Sequence, residues 1–260
     1  MPTVILQRHE AVLEIVLNRP EVLNAANHEL IAELAAATGE AAEDRAARVV
    51  LLRGAGTHFC AGGDITMFGQ LIGLSPAERR KALYRIVDGL HPLLIRLRHM
   101  PKPVVAAVQG AAAGFGLSLV LAADLALAAE DAIFTSGYIH LGTSPDGGLT
   151  AMLGRVVGLK QAAELMLLGD RFDAPRALEL GLVNRLVPPS ALEGEARTAD
   201  GAGLTGAWGS AVSASLQPRW GGVMRPSVWK QGSRRGRLSE PWNAPVWATT
   251  LPFFTPKIAS

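Results

Sequence analysis

The feature that most constrains the fold is a run without charged side chains, residues 103–123. Its length would allow it to cross a membrane as a helix. However, the run opens with Pro103 and an apolar Val-Val-Ala-Ala-Val stretch, and three glycines (Gly110, Gly114 and Gly116) interrupt its middle. We therefore interpret it as a buried strand, a glycine turn and a buried helix, as a parallel sheet covered on both faces requires.

The rest of the chain alternates strand and helix patterns. Strands are predicted at residues 4–7, 12–17, 48–53, 104–108 and 125–128. Helices are predicted from Asn27, from a Ser75-Pro76 capping box to about His99, and at residues 114–122, 146–157, 159–168 and 174–180. This alternation predicts an α/β fold with substantial parallel pairing.

Composition and charge exclude several classes of protein. The 260 residues are 49% hydrophobic and 18% charged, so a disordered chain is not expected. A net charge of +2 gives no support for binding to nucleic acid or to an anionic membrane. The single cysteine, Cys60, excludes an intramolecular disulfide, and the N-terminus lacks a secretory signal pattern, so we expect a cytoplasmic protein. The six histidines lack metal-ligand spacing, so no metal site is expected.

The C-terminal part departs from this pattern. We predict a core at residues 1–195 and a divergent, irregular segment at residues 196–260, which contains all five tryptophans. One interpretation is a native extension whose tryptophans pack over a pocket or a neighbouring subunit. The other is a reading-frame artefact, which the abrupt change of composition favours. The basic residues and tryptophans also raise RNA binding, but no RNA-binding motif frames them.

The first candidate functional segment is a glycine-containing loop that follows a predicted strand, at residues 58–65. Its central residues are Ala61, Gly62, Gly63, Asp64 and Ile65. Paired glycines let the backbone approach a ligand closely and turn its N–H groups outward. A tight turn between a strand and a helix explains the same residues, and the segment alone does not decide between the two.

The second candidate segment, residues 109–118, follows the buried strand and opens an apolar helix. Unpaired N–H groups at the helix start, around Gly114 and Phe115, would stabilise an oxyanion without a charged side chain. The alternative is close packing of helix and strand through small residues. A dinucleotide fingerprint is disfavoured, because Leu119 occupies its third glycine position.

The third candidate segment, residues 141–148, contains Asp146 between a proline and two glycines at a predicted helix start. Aspartate is a good N-cap, because its carboxylate accepts hydrogen bonds from free backbone N–H groups. On the residues alone, a structural cap is favoured over a catalytic carboxylate.

Taken in order, these segments resemble the crotonase superfamily, the enoyl-CoA hydratase/isomerase family. The resemblance rests on residues 18–25, 59–65, 102–124, 142–158, 169–174 and 181–184, and covers roughly residues 3–195. It implies a crotonase-like spiral of ββα units with a helical C-terminal part, which is atypical here, and assembly as homotrimers or hexamers. It also implies an acyl-CoA thioester substrate, with coenzyme A as part of the substrate and no separate cofactor.

The resemblance further implies roles for individual residues. The N–H groups of Gly63 and Phe115 would hold the thioester oxygen. The residues around the substrate would be Leu23, Ala25, Ala61, Gly62, Asp64, Ile65, Gly114, Ser118 and Tyr138.

The resemblance also bears on the reaction. Hydratases of the family place two glutamates around a water, and those positions here read Ser118 and Tyr138, neither of which can act as a carboxylate base at neutral pH. Asp146 stands where isomerases of the family carry their single acid. We therefore expect Asp146 to be the acid/base of an isomerase, with its pKa raised by an apolar pocket. The alternatives are another crotonase reaction, or a catalytically silent paralogue that acts as a binding partner.

Overall fold

A computed structural model describes residues 1–198, and within them the predicted α/β class is confirmed. The strands are β1 (Val4–His9), β2 (Val12–Leu17), β3 (Val49–Gly54), β4 (Val104–Val108), β5 (Ala111–Ala113), β6 (Leu125–Ala129), β7 (Ile133–Thr135), β8 (Phe172–Asp173) and β9 (Arg185–Val187). Six of them form a sheet in the order β1-β2-β3-β4-β6-β9. β1 runs antiparallel to β2, and every later pair in this sheet is parallel. A second sheet has the order β5-β7-β8.

The helices begin and end where local residues favour it. They are α1 (His28–Glu43), α2 (Ile65–Gly69), α3 (Pro76–Arg98), α4 (Phe115–Ala122), α5 (Leu149–Val157), α6 (Leu159–Leu168), α7 (Ala174–Glu179) and α8 (Leu192–Thr198). Asn27 caps α1 by accepting a hydrogen bond from the Leu30 N–H, and Ser75 and Glu78 form the predicted capping box of α3. Gly158 ends α5, as the sequence predicts.

The core lies on both faces of the six-stranded sheet, which explains why its central strands β4 and β6 are apolar at every residue. Successive residues of a strand point to opposite faces. In β3, Val50 and Leu52 therefore join the large core beneath α1, α3 and α4. Val49 and Leu51 join a smaller apolar cluster on the other face, together with Leu192 and Ala196 of α8.

The charge-free run has the predicted structure. It forms β4, a glycine turn with the short strand β5, and the buried helix α4. In the described part of the chain, no helix is both long enough and apolar enough to cross a membrane.

The structure differs from the sequence predictions at several places. The helix predicted from Asp146 starts only at Leu149, because Gly147 and Gly148 have φ values of +55° and +71° and cannot continue a right-handed helix. The strands β5, β7, β8 and β9 were not predicted, because two or three residues are too few to show an alternation. The predicted boundary after residue 195 falls within α8, and the five tryptophans lie outside the described residues.

Candidate active site

The two predicted glycine loops lie side by side because strand-like hydrogen bonds join them. The Phe59 N–H donates to the Gln109 carbonyl at 2.8 Å, and the Cys60 N–H donates to the Ala111 carbonyl at 3.0 Å. In return, the Ala113 N–H donates to the Cys60 carbonyl at 2.9 Å. The first loop therefore continues the second sheet and runs parallel to β5.

Glycine is required where the two loops approach most closely. A Cβ atom on Gly116 would lie 2.2 Å from the Cys60 carbonyl oxygen, and Gly114 has a φ of +51°, which disfavours any other residue. Gly62 itself has a φ of +103°, which disfavours any other residue. Close packing through small residues, the alternative interpretation of the second loop, is thus also present.

Two backbone N–H groups flank this contact without an acceptor. Neither the Gly63 N–H nor the Phe115 N–H donates a hydrogen bond to another residue in the described part of the chain. The residues on either side of Gly63 are both hydrogen-bonded to Ala26: the Gly62 carbonyl accepts from its N–H, and the Asp64 N–H donates to its carbonyl. The N–H of Gly63 therefore points away from Ala26. Phe115 is the first residue of α4, where an N–H has no partner within the helix. Both groups remain available to an external acceptor.

Asp146 lies in the segment between Tyr138 and α5, and it is not a helix cap. The Tyr138 hydroxyl donates to Oδ1 of Asp146 at 2.7 Å, and the N-cap position of α5 is taken by Gly148. The cap interpretation of Asp146 is therefore wrong. Its carboxylate faces the tyrosine instead of the helix N-terminus.

The expected rise in the pKa of Asp146 is confirmed. Burial raises the pKa of this carboxyl, while the Tyr138 hydrogen bond and the electrostatic interaction with His91 oppose the rise without cancelling it. Burial and the neighbouring Asp146 raise the pKa of Tyr138 as well. The phenol therefore stays protonated at neutral pH and serves as the donor of the pair.

Ser118 and Gly147 close the space around this pair. Ser118 is fully buried one turn into α4, and its hydroxyl interacts with the Tyr138 oxygen. A Cβ atom on Gly147 would lie 3.0 Å from Oγ of Ser118 and 3.2 Å from Cδ1 of Leu94. The segment with Asp146 thus packs against both α3 and α4.

Residues 18–25, which contain the predicted substrate-binding residues Leu23 and Ala25, lie against the first glycine loop. The Ala61 N–H donates to the Leu23 carbonyl at 3.0 Å, and Leu23 is exposed with a φ of +55°. Arg19 donates to the Ala25 carbonyl at 2.5 Å and to the Asp64 carboxylate at 3.0 Å. Asp64 also caps α2, so its role in this structure is to tie the two segments together. Ile65, the first residue of α2, is exposed at the same loop.

Sequence reasoning missed three side chains near these groups. His91 lies close enough to Asp146 to interact electrostatically with its carboxyl, and Leu94 follows it by one turn of α3. The Phe68 ring covers Gly63, where a Cβ atom would lie 3.0 Å from it. Helical spacing places His91 and Leu94 on one face, but no local pattern links that face to Asp146.

Comparison with known proteins places the chain in a family. The model of the enoyl-CoA hydratase/isomerase family matches residues 7–201. The chain belongs to the enoyl-CoA hydratase/isomerase family. Acyl-CoA thioester substrates fit this family, and membership supports an enzyme.

Members of the enoyl-CoA hydratase/isomerase family with different reactions resemble the chain. It is 39% identical to the 1,2-epoxyphenylacetyl-CoA isomerase of Escherichia coli K12 over 184 residues, 70% of this chain and 69% of the relative. It is 31% identical to the trans-2-decenoyl-[acyl-carrier-protein] isomerase of Streptococcus mutans over 182 residues, 70% of this chain and 68% of the relative. The chain spans about two thirds of the length of the curated relatives that it matches, down to 64%.

A solved structure of the family confirms the crotonase fold. The crystal structure of an enoyl-CoA hydratase from Polaromonas sp. JS666 matches with a TM-score of 0.70 and 35% identity. The match covers 76% of this chain and 76% of that chain.

Two other kinds of chemistry, a cysteine nucleophile and a bound metal ion, lack support from the described residues. The Cys60 thiol is buried, and burial raises its pKa to about 12, so it is not available as a thiolate nucleophile. Residues 1–198 contain no group of three or more His, Cys, Asp or Glu side chains arranged to hold a metal ion.

Proposed function

We propose that the protein is an acyl-CoA isomerase that shifts a double bond through an enolate, with Asp146 as its single acid/base. The observation that carries the proposal is a half-buried carboxylate with a raised pKa, which Tyr138 links to the helix start that presents a free N–H group. The N–H groups of Gly63 and Phe115 hold the thioester oxygen as an oxyanion hole.

The proposed step conserves atoms and electrons. Asp146 removes a proton from C2 of a 3-enoyl thioester, and the C–H electrons move into the enolate whose oxygen accepts the two hydrogen bonds. The enolate then collapses, its double bond moves to C2–C3, and the proton held by Asp146 goes to C4. No redox partner or water is consumed, and coenzyme A enters only as part of the substrate.

The raised pKa of Asp146 suits this cycle. A group that both takes and returns a proton works best when its pKa lies close to the operating pH. Burial moves the carboxyl in that direction, since it disfavours the ionised form.

Two residues argue for isomerisation over hydration. Ser118 and Tyr138 stand at the positions where hydratases of the family carry glutamates, and the pKa of Tyr138 is raised further from neutrality. Neither residue can deprotonate a water molecule at neutral pH. The names of the two isomerase relatives agree with this assignment, although other relatives carry hydratase names.

The proposal extends to assembly and location. We propose that the enzyme assembles as a homotrimer or hexamer, as the family resemblance implies. We also propose that it is cytoplasmic, because its single cysteine is buried and forms no disulfide. Size-exclusion chromatography with light scattering measures the assembly directly.

Replacement of Asp146 tests the function. Asp146→Asn keeps the shape of the side chain and removes the base, so we expect turnover of trans-3-hexenoyl-CoA to fall by about 10²–10⁴-fold. Binding of butyryl-CoA, which has no double bond to shift, should change little in either Asp146→Asn or Asp146→Ala. The matched control is Asp131→Asn, because Asp131 is exposed in the turn between β6 and β7 and takes part in none of the contacts described at the candidate site.

A panel of substrates separates this proposal from its alternatives. The protein is assayed with 2-enoyl, 3-enoyl and ring-epoxide acyl-CoA thioesters. Unchanged turnover in Asp146→Asn would refute the role of Asp146, and water addition to the 2-enoyl thioester would refute the preference for isomerisation. A folded protein without turnover on any of the three would favour a silent paralogue that acts by binding.

A further inference from the structure

Among the described residues, Tyr138 is the only other residue that donates a hydrogen bond to the side chain of Asp146. The phenol donates to Oδ1 at 2.7 Å, whereas no other residue among 1–198 donates a hydrogen bond to Oδ2. The two carboxylate oxygens therefore have different surroundings. A hydrogen bond of this kind fixes the rotation of the carboxylate as well as its distance.

Tyr138 is itself held in place by its surroundings. It begins a 3-10 turn, Tyr138–Leu141, between Gly137 and Gly142, which both have positive φ values. The Thr143 N–H donates to the Tyr138 carbonyl at 3.2 Å. A Cβ atom on Gly114 would lie 3.8 Å from Cζ of the tyrosine, so the ring also lies beside the start of α4. Tyr138 thus links Asp146 to the backbone that precedes the Phe115 N–H.

We propose that Tyr138 is a positioning residue, which holds Oδ1 of Asp146 and leaves Oδ2 to take and return the substrate proton. The proposal rests on the proposed function, because it assigns the two oxygens of the same base. With one oxygen held, the free oxygen can face C2 and C4 of the substrate in turn without rotation of the carboxylate. Positioning of this kind lowers the barrier because the reacting groups are already oriented.

The groups around Asp146 determine in which direction its pKa changes when the phenol is removed. The side chains that act on Asp146 are Tyr138 from the 3-10 turn and His91 from α3, with neutral Ser118 beyond the phenol on α4, and the backbone of Asp146 itself also interacts with both its carboxyl and the phenol. A hydrogen bond donated to the ionised carboxylate favours the ionised form and lowers its pKa. Loss of the phenol must therefore raise the pKa of Asp146 further. Because the base has to be ionised, the acid limb of the kcat/KM profile must move to higher pH.

The test replaces the hydroxyl and keeps the ring. In Tyr138→Phe we expect the acid limb of the profile with trans-3-hexenoyl-CoA to rise by about one to two pH units, since a hydrogen bond to a charged group has that strength. We expect kcat to fall by about 10–100-fold with KM nearly unchanged, because the lost interaction positions the base and not the ligand. The matched control is Tyr84→Phe, since Tyr84 is the other tyrosine of the chain and is exposed on α3.

A second modification works in the opposite direction and does not depend on how Tyr138→Phe folds. Incorporation of 3-fluorotyrosine into the Tyr84→Phe protein labels Tyr138 alone and makes its phenol a stronger donor. The acid limb should then move to lower pH than in unlabelled Tyr84→Phe. An unmoved limb in both experiments would overturn the proposal, because a merely structural tyrosine would change stability without changing the profile.

The proposed function and this inference fail in different ways. The pKa of Asp146 is also measured without turnover, by titration of its ¹³C-labelled carboxyl in NMR spectra, with Asp146→Asn to assign the signal. If the wild-type protein does not isomerise any enoyl thioester, the proposed function fails, but a carboxyl pKa that rises in Tyr138→Phe still supports the hydrogen bond. An unchanged carboxyl titration with normal isomerisation refutes the role of Tyr138 alone.

Discussion

Replacement of Gly116 by alanine tests whether the contact between the two loops sets the positions of the free N–H groups. Gly116 is buried in the first turn of α4, and its φ is not in the left-handed region, so alanine suits its backbone conformation. The difficulty is space, because the new Cβ atom would lie 2.2 Å from the Cys60 carbonyl oxygen and 3.0 Å from the Cys60 Cβ. Both atoms belong to a buried strand-like segment that cannot rotate away.

The size of the effect follows from this overlap. Heavy atoms pack best at about 3.5–4.0 Å, so the first loop and α4 must separate by about 1 Å or more. Forcing an extra methyl into a packed site costs about 1–3 kcal/mol. For a domain of this size, that lowers Tm by about 2–12 °C. The same displacement separates the Gly63 and Phe115 N–H groups, and a misplacement of about 1 Å can reduce turnover about 100-fold.

The assay compares Gly116→Ala with Gly73→Ala. Gly73 is exposed, and a Cβ atom there would meet nothing within 4 Å, so this control adds the same methyl without an overlap. Thermal unfolding gives the stability, and isomerisation of trans-3-hexenoyl-CoA below the Tm of both variants gives kcat. If Gly116→Ala matched the control in both measurements, the loops would not be held by this contact and the reasoning would be wrong.

Two further predictions concern stability. Glu14 is fully buried, and burial raises its pKa, but hydrogen bonds from Arg197 and Arg53 outweigh this and lower the pKa overall. The ionised Glu14 therefore adds to the free energy of unfolding above the unfolded pKa of about 4.3, and this contribution is lost as the pH falls through the lower folded pKa. In urea unfolding between pH 7 and pH 3, the free energy of unfolding should fall more steeply in wild type than in Glu14→Gln. Asn27→Ala removes the cap that accepts from the Leu30 N–H and should cost about 1 kcal/mol, with little change in the denaturant slope of urea unfolding.

The sequence predicted those parts of the fold whose causes are local. Asn27 and the Ser75–Glu78 box mark helix starts through hydrogen bonds that span three residues, so their signal is contained in the chain segment itself. β4 was predictable because a strand buried on both faces must be apolar at each residue. The two glycine loops were recognisable for a similar reason, since Gly62 and Gly116 fill positions that exclude other residues.

The parts that could not be predicted depend on segments that meet only after folding. The hydrogen bond between Tyr138 and Asp146 crosses two turns whose shapes come from Gly137, Gly142 and Gly147. Nothing in the local pattern gave the direction of either side chain, so the local residues favoured a cap at Asp146, and only the family resemblance favoured a base. His91 approaches Asp146 from a helix more than fifty residues earlier in the chain, and its spacing alone suggested only a helix face.

The contact between Tyr138 and Asp146 also gives a reason why one site would not catalyse both hydration and isomerisation. A glutamate in place of Tyr138 would put a second carboxylate within hydrogen-bonding distance of Asp146, in a space where burial already raises the pKa of the first. Two carboxyl groups this close cannot both be ionised, so one would stay protonated near neutral pH. Under the proposed mechanism, such a site would lose either its hydratase base or its isomerase base. The neutral, donating phenol avoids this conflict, because it leaves the negative charge of the site on Asp146 alone.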